Sequence, residues 1–284
     1  MARGRMLKGI AARRVCVPGA GSEETYGYDR IQDTPERCMR HYVAANVTAP
    51  EDEKRRLACV TLEDERGGGE VMPWEACYDP LDEVLEGVGR YADVGWDIVP
   101  DIAAKKFVFR VVPGRDLSDE GGGARRVTFA AALGNAQNAS YSVDAKSEAT
   151  TAYVGGGGED EERMILAVGT DARGLSRREM WVEEVNRDDP DDLVFAGNRK
   201  LKDRARKEAV ACGVQDGGGV RYGADWTLGD RVNVVAGGYR MCARVTEIAE
   251  SYEAGKISGL TVTFGEPPEG VSKIIKSIAK WRVD

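Results

Sequence analysis

The sequence predicts a mainly β protein of the α+β class, in which a small α/β layer domain precedes an antiparallel β-barrel domain with a helical insertion. In the first half of the chain, two amphipathic helical patterns accompany alternating strands. The second half contains short extended runs about ten residues apart, with Gly, Asn and Asp between them, which is typical of barrels and sandwiches. A chain of 284 residues, 42% of them apolar, can form two moderate cores.

The composition narrows the class of protein. A formal net charge of −8 argues against a nucleic-acid coat. No run of residues approaches the ~20 consecutive apolar positions that a membrane-spanning helix needs, and the basic start lacks the apolar stretch of a secretory signal. The six cysteines form no CxxC and no zinc-ligand spacing, so we expect reduced, mostly buried thiols and synthesis in a cytosol.

The first domain is predicted at residues 33–124, after an irregular N-terminal segment at residues 1–32. In "DTPERCMRHYVAAN", Thr34 can cap a helix that starts at Pro35 and continues to about residue 46. The recurrence of Cys38, Met39, Tyr42 and Val43 gives this helix one apolar face.

A second helix and a hairpin complete that domain. In "YDPLDEVLEGVGRYADVGW", Asp79 is the expected cap, Pro80 the first helical residue and Gly95 the end. The segments "WDIVP" and "KKFVFRVVPG" alternate and predict a β-hairpin. The glycine-rich "LSDEGGGARR" is the best candidate linker to the second domain.

The second domain is predicted at residues 125–265, with a helical insertion at about 188–213. The second half of that helical pattern is basic, which indicates either a solvated face or a patch that meets an acidic neighbour or DNA. After residue 218 the alternation returns and predicts a β-meander, in which "KISGLTVTFG" is a plausible edge strand. Residues 266–284 predict a short C-terminal helix.

Known catalytic motifs are missing from the sequence. It contains no G-x-S-x-G, no GxxxxGK[ST] and no HExxH. His41 is the single histidine, which excludes a multi-histidine metal site, and we interpret it as a surface or packing residue. The glycine clusters at 121–123 and 155–158 lead into β-like stretches, which favours loops over phosphate-binding turns. We therefore predict no catalytic, cofactor-binding or metal-binding residues.

The stretch "RYGADWTLGDRVNV", residues 221–234, has two interpretations. Its carboxylates, Asp225 and Asp230, could belong to a metal or catalytic site, or to a tight turn that starts a strand. Gly229 permits a positive φ, and Asp230 can bond back to the turn backbone. A Ca²⁺ site would need more carboxylates at regular short spacing, so the turn is favoured.

Several segments together resemble one family of virus proteins. They are "FVFRVVPGRDLS", "VTFAAALGNAQNASYSVDAKSEATTAYVGG", "RREMWVEE", "YGADWTLGDRVNV" and "GKISGLTVTFG", in that order. Over residues 30–266 this order resembles the ReqiPepy-like tail proteins of siphoviruses and prophages, which are similar to the baseplate hub of contractile-tailed phages. Their element Y-x-x-D-(W/Y)-x-L-G-D-x-V opens a barrel strand.

The resemblance implies a structural role in the virion. Hub proteins form homotrimers, and their barrels act as pseudo-sixfold adaptors between a hexameric tail tube and a trimeric tip. The implied partners are further copies of the chain, the tail tube and the distal tail protein, and the implied location is the tail tip after synthesis in the host cytoplasm. DNA contact would be limited to passage through the tail lumen, and no enzyme activity belongs to this core.

The expected role leaves alternatives open. Family members usually carry a further β-rich domain upstream, which this sequence is expected to lack, and that puts a two-barrel ring in doubt. The main alternative function is a tail-associated peptidoglycan hydrolase, either a peptidase or a glycosidase; the single histidine weighs only against a metal-dependent peptidase. A host scaffold protein with the same barrel is a third, because a fold does not fix a function.

Overall fold

The protein is described from a computed structural model, which covers residues 6–19, 27–123, 125–158, 163–185, 187, 189–215, 219–252 and 259–268. It is mainly β with few helices, so the predicted fold class is confirmed. Two compact units divide the chain. The first comprises the described residues of Met1–Pro113, Val154–Leu166 and Glu183–Arg199, and the second those of Gly114–Tyr153, Ala167–Val182 and Lys200–Asp284.

The first unit contains helices packed on short strands. Within its segment Met1–Pro113 the elements in chain order are a 3-10 helix at Leu7–Arg13, β1 Asp29–Asp33, α1 Pro35–Val43 followed by a π-helical turn at Ala44–Thr48, a 3-10 helix at Glu53–Arg55, β2 Val60–Leu62, β3 Met72–Ala76, α2 Leu81–Ala92, β4 Gly95–Asp101 and β5 Lys106–Val112. β1 pairs with β3, and a second sheet has the order β2-β5-β4. The apolar faces of α1 and α2 form the core with Trp96 and Phe109.

The predicted helices and hairpin of this unit are observed, with shifted ends. Thr34 occupies the N-cap position of α1, but its side chain makes no capping hydrogen bond. Pro80, and not Asp79, is the N-cap of α2. α2 ends at Asp93 in the left-handed conformation, before the predicted Gly95. The predicted hairpin corresponds to β4 and β5, which pair antiparallel.

The prediction that residues 1–32 are irregular is wrong in part. The 3-10 helix at Leu7–Arg13 and the strand β1 lie in this segment. β1 has the sequence DRIQD, whose single apolar residue, Ile31, cannot show an alternating pattern.

The remaining elements begin with β6 Thr128–Ala130, and they follow in chain order as a 3-10 helix at Ala131–Leu133, β7 Ala136–Asp144, β8 Thr151–Gly155, β9 Ile165–Gly169, a 3-10 helix at Gly174–Ser176, β10 Glu179–Glu183, α3 Pro190–Asp203, β11 Lys207–Val214, β12 Arg231–Ala236, β13 Tyr239–Ser251 and β14 Gly259–Gly265. Six of the strands form one sheet with the order β6-β12-β13-β14-β11-β7. A three-stranded sheet has the order β10-β8-β9.

The six-stranded sheet curls into a half-barrel. Its two outermost strands, β6 and β7, are consecutive in the chain. A flat sheet would separate β7 from β13 by three strand spacings, about 14 Å. The rings of Tyr141 on β7 and Tyr239 on β13 nevertheless stack with centroids 4.6 Å apart. The curled sheet surrounds a core of Phe129, Trp226 and Phe264.

Two predictions for the second domain need correction. The helical insertion predicted at 188–213 is helical only over α3, and β11 is a strand between β14 and β7. β14, the predicted edge, pairs on both sides. The predicted barrel segment at 125–265 also contains β8, β9 and β10, which form a three-stranded sheet of their own outside the six-stranded sheet.

The burial of β11 explains why it was predicted as part of a helix. Its sequence is KEAVACGV, and it is buried at Ala209, Val210, Ala211 and Cys212. A short continuous apolar run of this kind fits a buried strand or a helix equally well.

The candidate linker "LSDEGGGARR" begins inside the second unit. Its Leu117 is buried, and the N–H of Val127 donates to the carbonyl of Leu117. The predicted C-terminal helix, residues 266–284, lies almost wholly outside the described residues.

Candidate assembly sites

The predicted turn at residues 221–234 is observed, and Asp230 is its centre. Asp230 is 1% exposed. Its carboxylate accepts hydrogen bonds from the backbone N–H of Arg115 (2.9 Å) and of Thr227 (2.9 Å). It also accepts two from the Arg115 guanidinium, at 3.2 Å from Nε and 2.6 Å from Nη2. Four donors therefore satisfy a buried carboxylate, which fixes the entry into β12.

Asp225 closes the other side of the same turn. Its carboxylate accepts the backbone N–H of Arg221 at 2.7 Å and pairs with the Arg125 guanidinium. The hydrogen bond from Arg221, with the neighbouring positive charges, lowers the pKa of Asp225. Gly229 adopts φ 91°, the left-handed conformation that the turn requires.

The aromatic residues of this stretch belong to the core. Trp226 is fully buried, and its ring lies edge-on to Phe129 at 5.1 Å between centroids. Tyr222 packs on the same indole at 5.1 Å. The element therefore combines a buried aromatic anchor with a carboxylate-capped turn.

Arg115 was not singled out by the sequence interpretation. It follows the hairpin of the first unit, in "PGRD", while its partner Asp230 lies far along the chain. No local periodicity connects two such positions. The arginine in a Pro-Gly turn was the only available signal.

Three of the six thiols are held protonated by burial. Burial raises the pKa of Cys16 to about 12, of Cys38 to about 11 and of Cys212 to about 12. A thiol with such a pKa stays protonated at neutral pH and reacts slowly. His41 lies on α1, half-exposed, with Nε2 2.8 Å from Oδ1 of Asp29.

Within the residues that the structure describes, no three His, Cys, Asp or Glu side chains are grouped so that they could bind a metal ion. None of the helices found in those residues has the length and hydropathy needed to cross a membrane.

The outer edge of β7 is a candidate surface for pairing with another protein. Among the described strands β7 pairs only with β11. Two residues of β7 opposite one of β11 form a bulge, at which Asn138 takes φ 49°. Beyond the bulge, residues 140–144 continue a regular ladder with β11.

The other end of the sheet covers little of that edge. β6 has three residues, about 10 Å of strand, whereas β7 has nine, about 30 Å. Residues 140–144 contain neither lysine nor proline, the residues that commonly protect an exposed edge. Val143 in this segment is 45% exposed. The sequence predicted an extended run here but gave no sign that it was the edge.

The sequence and the fold of this chain are similar to those of phage and prophage tail proteins. The model of the siphovirus ReqiPepy6 Gp37-like protein family matches residues 1–266. No curated protein sequence matches the chain. The 43 kDa tail protein of prophage MuSo2 from Shewanella oneidensis is 10% identical with a TM-score of 0.54, over 92% of this chain and 72% of that one. The tail protein from Neisseria meningitidis MC58 is 12% identical with a TM-score of 0.50, over the same shares. At these identities the two structures are similar in fold.

Proposed function

Because this chain belongs to the siphovirus ReqiPepy6 Gp37-like protein family and is a phage or prophage tail protein, we propose that it is a structural component of the tail tip. Its role there is that of a baseplate-hub-like adaptor between the tail tube and the tip proteins. The observation that carries the proposal is the family match over most of the chain, on a fold similar to two other tail proteins. It functions in the virion, and any DNA contact is limited to passage through the lumen.

In the tail the protein forms a homotrimer. A threefold ring needs two different complementary faces on each protomer. The edge of β7 at residues 140–144 supports one such face, because its backbone groups can accept a strand from a neighbour. The distal tail protein and the tail tube are the further partners.

The substitution Val143→Lys tests this face. A lysine on the exposed edge should block strand pairing while leaving the fold intact, because Val143 is already half-exposed. Sedimentation velocity over rising protein concentration should give a trimer for the native chain and a monomer for the variant. Leu175→Lys is the matched control, since Leu175 is fully exposed outside β7, and it should leave the trimer unchanged.

One outcome would contradict the proposed trimer, and another would contradict the proposed contact at β7. One is a native chain that associates only as a dimer or a hexamer. The other is a Val143→Lys variant that still forms the trimer, which would exclude the edge of β7 as the contact. Equal melting temperatures of the two variants and the native protein establish that folding is not the cause.

The proposed role is not enzymatic. Incubation of the purified protein with cell walls should release no soluble fragments beyond a buffer control. Release of muropeptides or of reducing sugar ends would favour the alternative of a tail-associated peptidoglycan hydrolase.

A further inference from the structure

A basic pocket of about 380 Å³ lies in the first unit. One side is formed by the end of the 3-10 helix at Leu7–Arg13 and the residues that follow it, and the other by the 3-10 helix at Glu53–Arg55. Its lining residues are Ala12, Arg13, Arg14, Val15, Lys54, Arg55 and Pro80. Four of these carry a positive charge and none a negative charge.

Two of the four cations are fixed in place by carbonyl oxygens. Arg14 donates from Nε and Nη2 to the carbonyl of Arg55, at 3.1 and 2.8 Å, and from Nη1 to that of Arg13 at 3.1 Å. Arg55 donates from Nη2 to the carbonyl of Val15 at 2.6 Å and to Oδ1 of Asn46 at 3.1 Å. A carbonyl orients a guanidinium without neutralising it, so both positive charges persist.

These bonds leave donors for a ligand. A guanidinium has five N–H groups. The hydrogen bonds above use three of those of Arg14 and two of those of Arg55, so that two and three respectively have no acceptor among the described residues. Arg13 and Lys54 add two exposed cations at the rim.

Hydrogen bonds connect the pocket walls to the rest of the first unit. The N–H of Cys16 donates to the carbonyl of Asp79 at 2.8 Å, and the N–H of Leu81 donates to the carbonyl of Arg14 at 2.9 Å. One wall is therefore paired with the start of α2. Asn46, fully buried, accepts the N–H of Val17 at 2.9 Å and donates to the carbonyl of Tyr42 at 2.9 Å. The residue that orients Arg55 is therefore itself fixed in the core.

Neighbouring carboxylates are directed elsewhere. Asp52 accepts the backbone N–H of Lys54, Glu53 lies 3.6 Å from Arg56, and Asp79 accepts the N–H of Cys77. In the described part of the chain, no ion pair within 4.0 Å involves any of the four pocket cations. Most other arginines pair with a carboxylate, so this pocket differs from the ordinary surface.

We propose that this pocket binds an acidic peptide segment of another protein, through glutamate or aspartate carboxylates. Preoriented guanidinium N–H groups bind carboxylates through short, charge-assisted hydrogen bonds. Nucleic acid is the weaker candidate, because it binds along extended basic surfaces whereas these charges surround a small concavity on a chain of net charge −8.

Titration calorimetry with a short glutamate-rich peptide tests the proposal, with the glutamine version of the same peptide as the neutral probe. The glutamate peptide should bind the native protein and the glutamine peptide should not, and added salt should weaken the binding. The double variant Arg13→Gln/Lys54→Gln should bind the peptide roughly tenfold more weakly. Both residues are exposed and neither contributes the carbonyl-anchored bonds of the walls, so the fold should persist.

The matched control is Arg173→Gln/Lys146→Gln, which removes one arginine and one lysine from exposed positions in the second unit. It should bind the peptide as the native protein does. Equal loss in both double variants would overturn the proposal, since only net charge would then matter. The absence of peptide binding would also overturn the proposal. The same holds if a DNA duplex or inorganic phosphate binds more tightly than the peptide and only the pocket variant weakens that binding. The test is independent of the proposed trimer, whose failure would leave peptide binding unchanged.

Discussion

Asp230 illustrates how a single carboxylate organises a long stretch of chain. It joins the N–H and guanidinium groups of Arg115 to the turn that precedes β12, and Thr227 supplies the remaining donor. Such a buried carboxylate is stable only while its donors remain in place.

Asp230→Ala should therefore lower the free energy of unfolding by about 2–4 kcal/mol, because it leaves buried N–H donors unpaired and removes the partner of Arg115. This exceeds the 0.5–2 kcal/mol typical of a lost turn or cap bond. Chemical denaturation is the measurement. Asp171→Ala, at an exposed position in the same unit, is the control and should change stability by less than about 0.5 kcal/mol. Equal stability of the two variants would show that Asp230 does not fix the turn.

Asp116 should make the stability of the protein depend on pH in acid. The hydroxyl of Ser118 donates to its carboxylate at 2.6 Å, and this bond and the backbone N–H of Ser118 lower the pKa of Asp116. Because the folded-state pKa is the lower one, the stabilisation is present above the unfolded pKa of about 3.9. It is lost as the pH falls through the folded value.

Ser118→Ala should raise the pKa of Asp116 towards its ordinary value, because the hydroxyl is the largest cause of the shift. The unfolding free energy should then depend less on pH in acid. NMR titration of the carboxyl carbon measures the pKa directly. Ser147→Ala, at an exposed position, is the control. An unchanged Asp116 titration in the Ser118 variant would contradict the assigned cause.

At the scale of elements, α3 is fixed by aromatic contacts within the first unit. Phe195 lies 4.7 Å from Tyr91 and 6.2 Å from Trp74 between ring centroids. The Arg199 guanidinium lies over the ring of Trp74 at 5.2 Å. Arg187, mostly buried, pairs with Glu75 and Glu184 just before the helix. These contacts add to the burial of Leu193 and Ala196 and attach one face of the helix.

Phe195→Ala should destabilise the protein by about 1–3 kcal/mol, less than a fully buried aromatic would, because Phe195 is only partly buried. Val194→Ala on the same helix removes a more exposed side chain and should cost clearly less. Thermal and denaturant unfolding of both variants provide the comparison. Loss of similar size in the two would show that the aromatic cluster does not attach α3.

How far the sequence predicts this fold depends on how strongly each element is patterned. α1, α2 and the hairpin of β4 and β5 have clear periodicity, and all are observed. β1 is too polar to show a pattern, and β11 is too apolar to distinguish from a helix. The apolar and polar residues of β14 alternate as in an edge strand. Its pairing with β13 on one side and with β11 on the other depends on residues outside this stretch.

The candidate sites also differ in how far a local sequence pattern predicts them. The turn at Asp225 and Asp230 could be predicted, because its glycine and carboxylates have local roles. The sequence does not predict the partner of Asp230, which is Arg115. It also does not predict the outer edge of β7 or the basic pocket. Each depends on which distant segments become neighbours, which no local pattern records. The basic N-terminal residues were visible in the sequence, but their meeting with Lys54 and Arg55 was not.

At the scale of the whole molecule, the proposed assembly would use the outer edge of the six-stranded sheet in the second unit. Among the described strands, β7 has a neighbour on one side only, and a long unpaired edge of this kind can accept a strand from another chain. Natural proteins usually cover or charge such an edge, so its presence is consistent with a protein whose working state is an assembly. Membership of a tail protein family supplies the setting in which that edge would be covered.

The most direct test of the proposed hub-like role is the number of copies of this protein in each assembled tail. Cryo-electron microscopy of purified tails, supported by quantitative mass spectrometry against the tail tube protein, measures that number. The proposed adaptor predicts three copies at the tip, arranged about the threefold axis next to the tube. One copy or six copies per tip, or copies distributed along the tube, would contradict it.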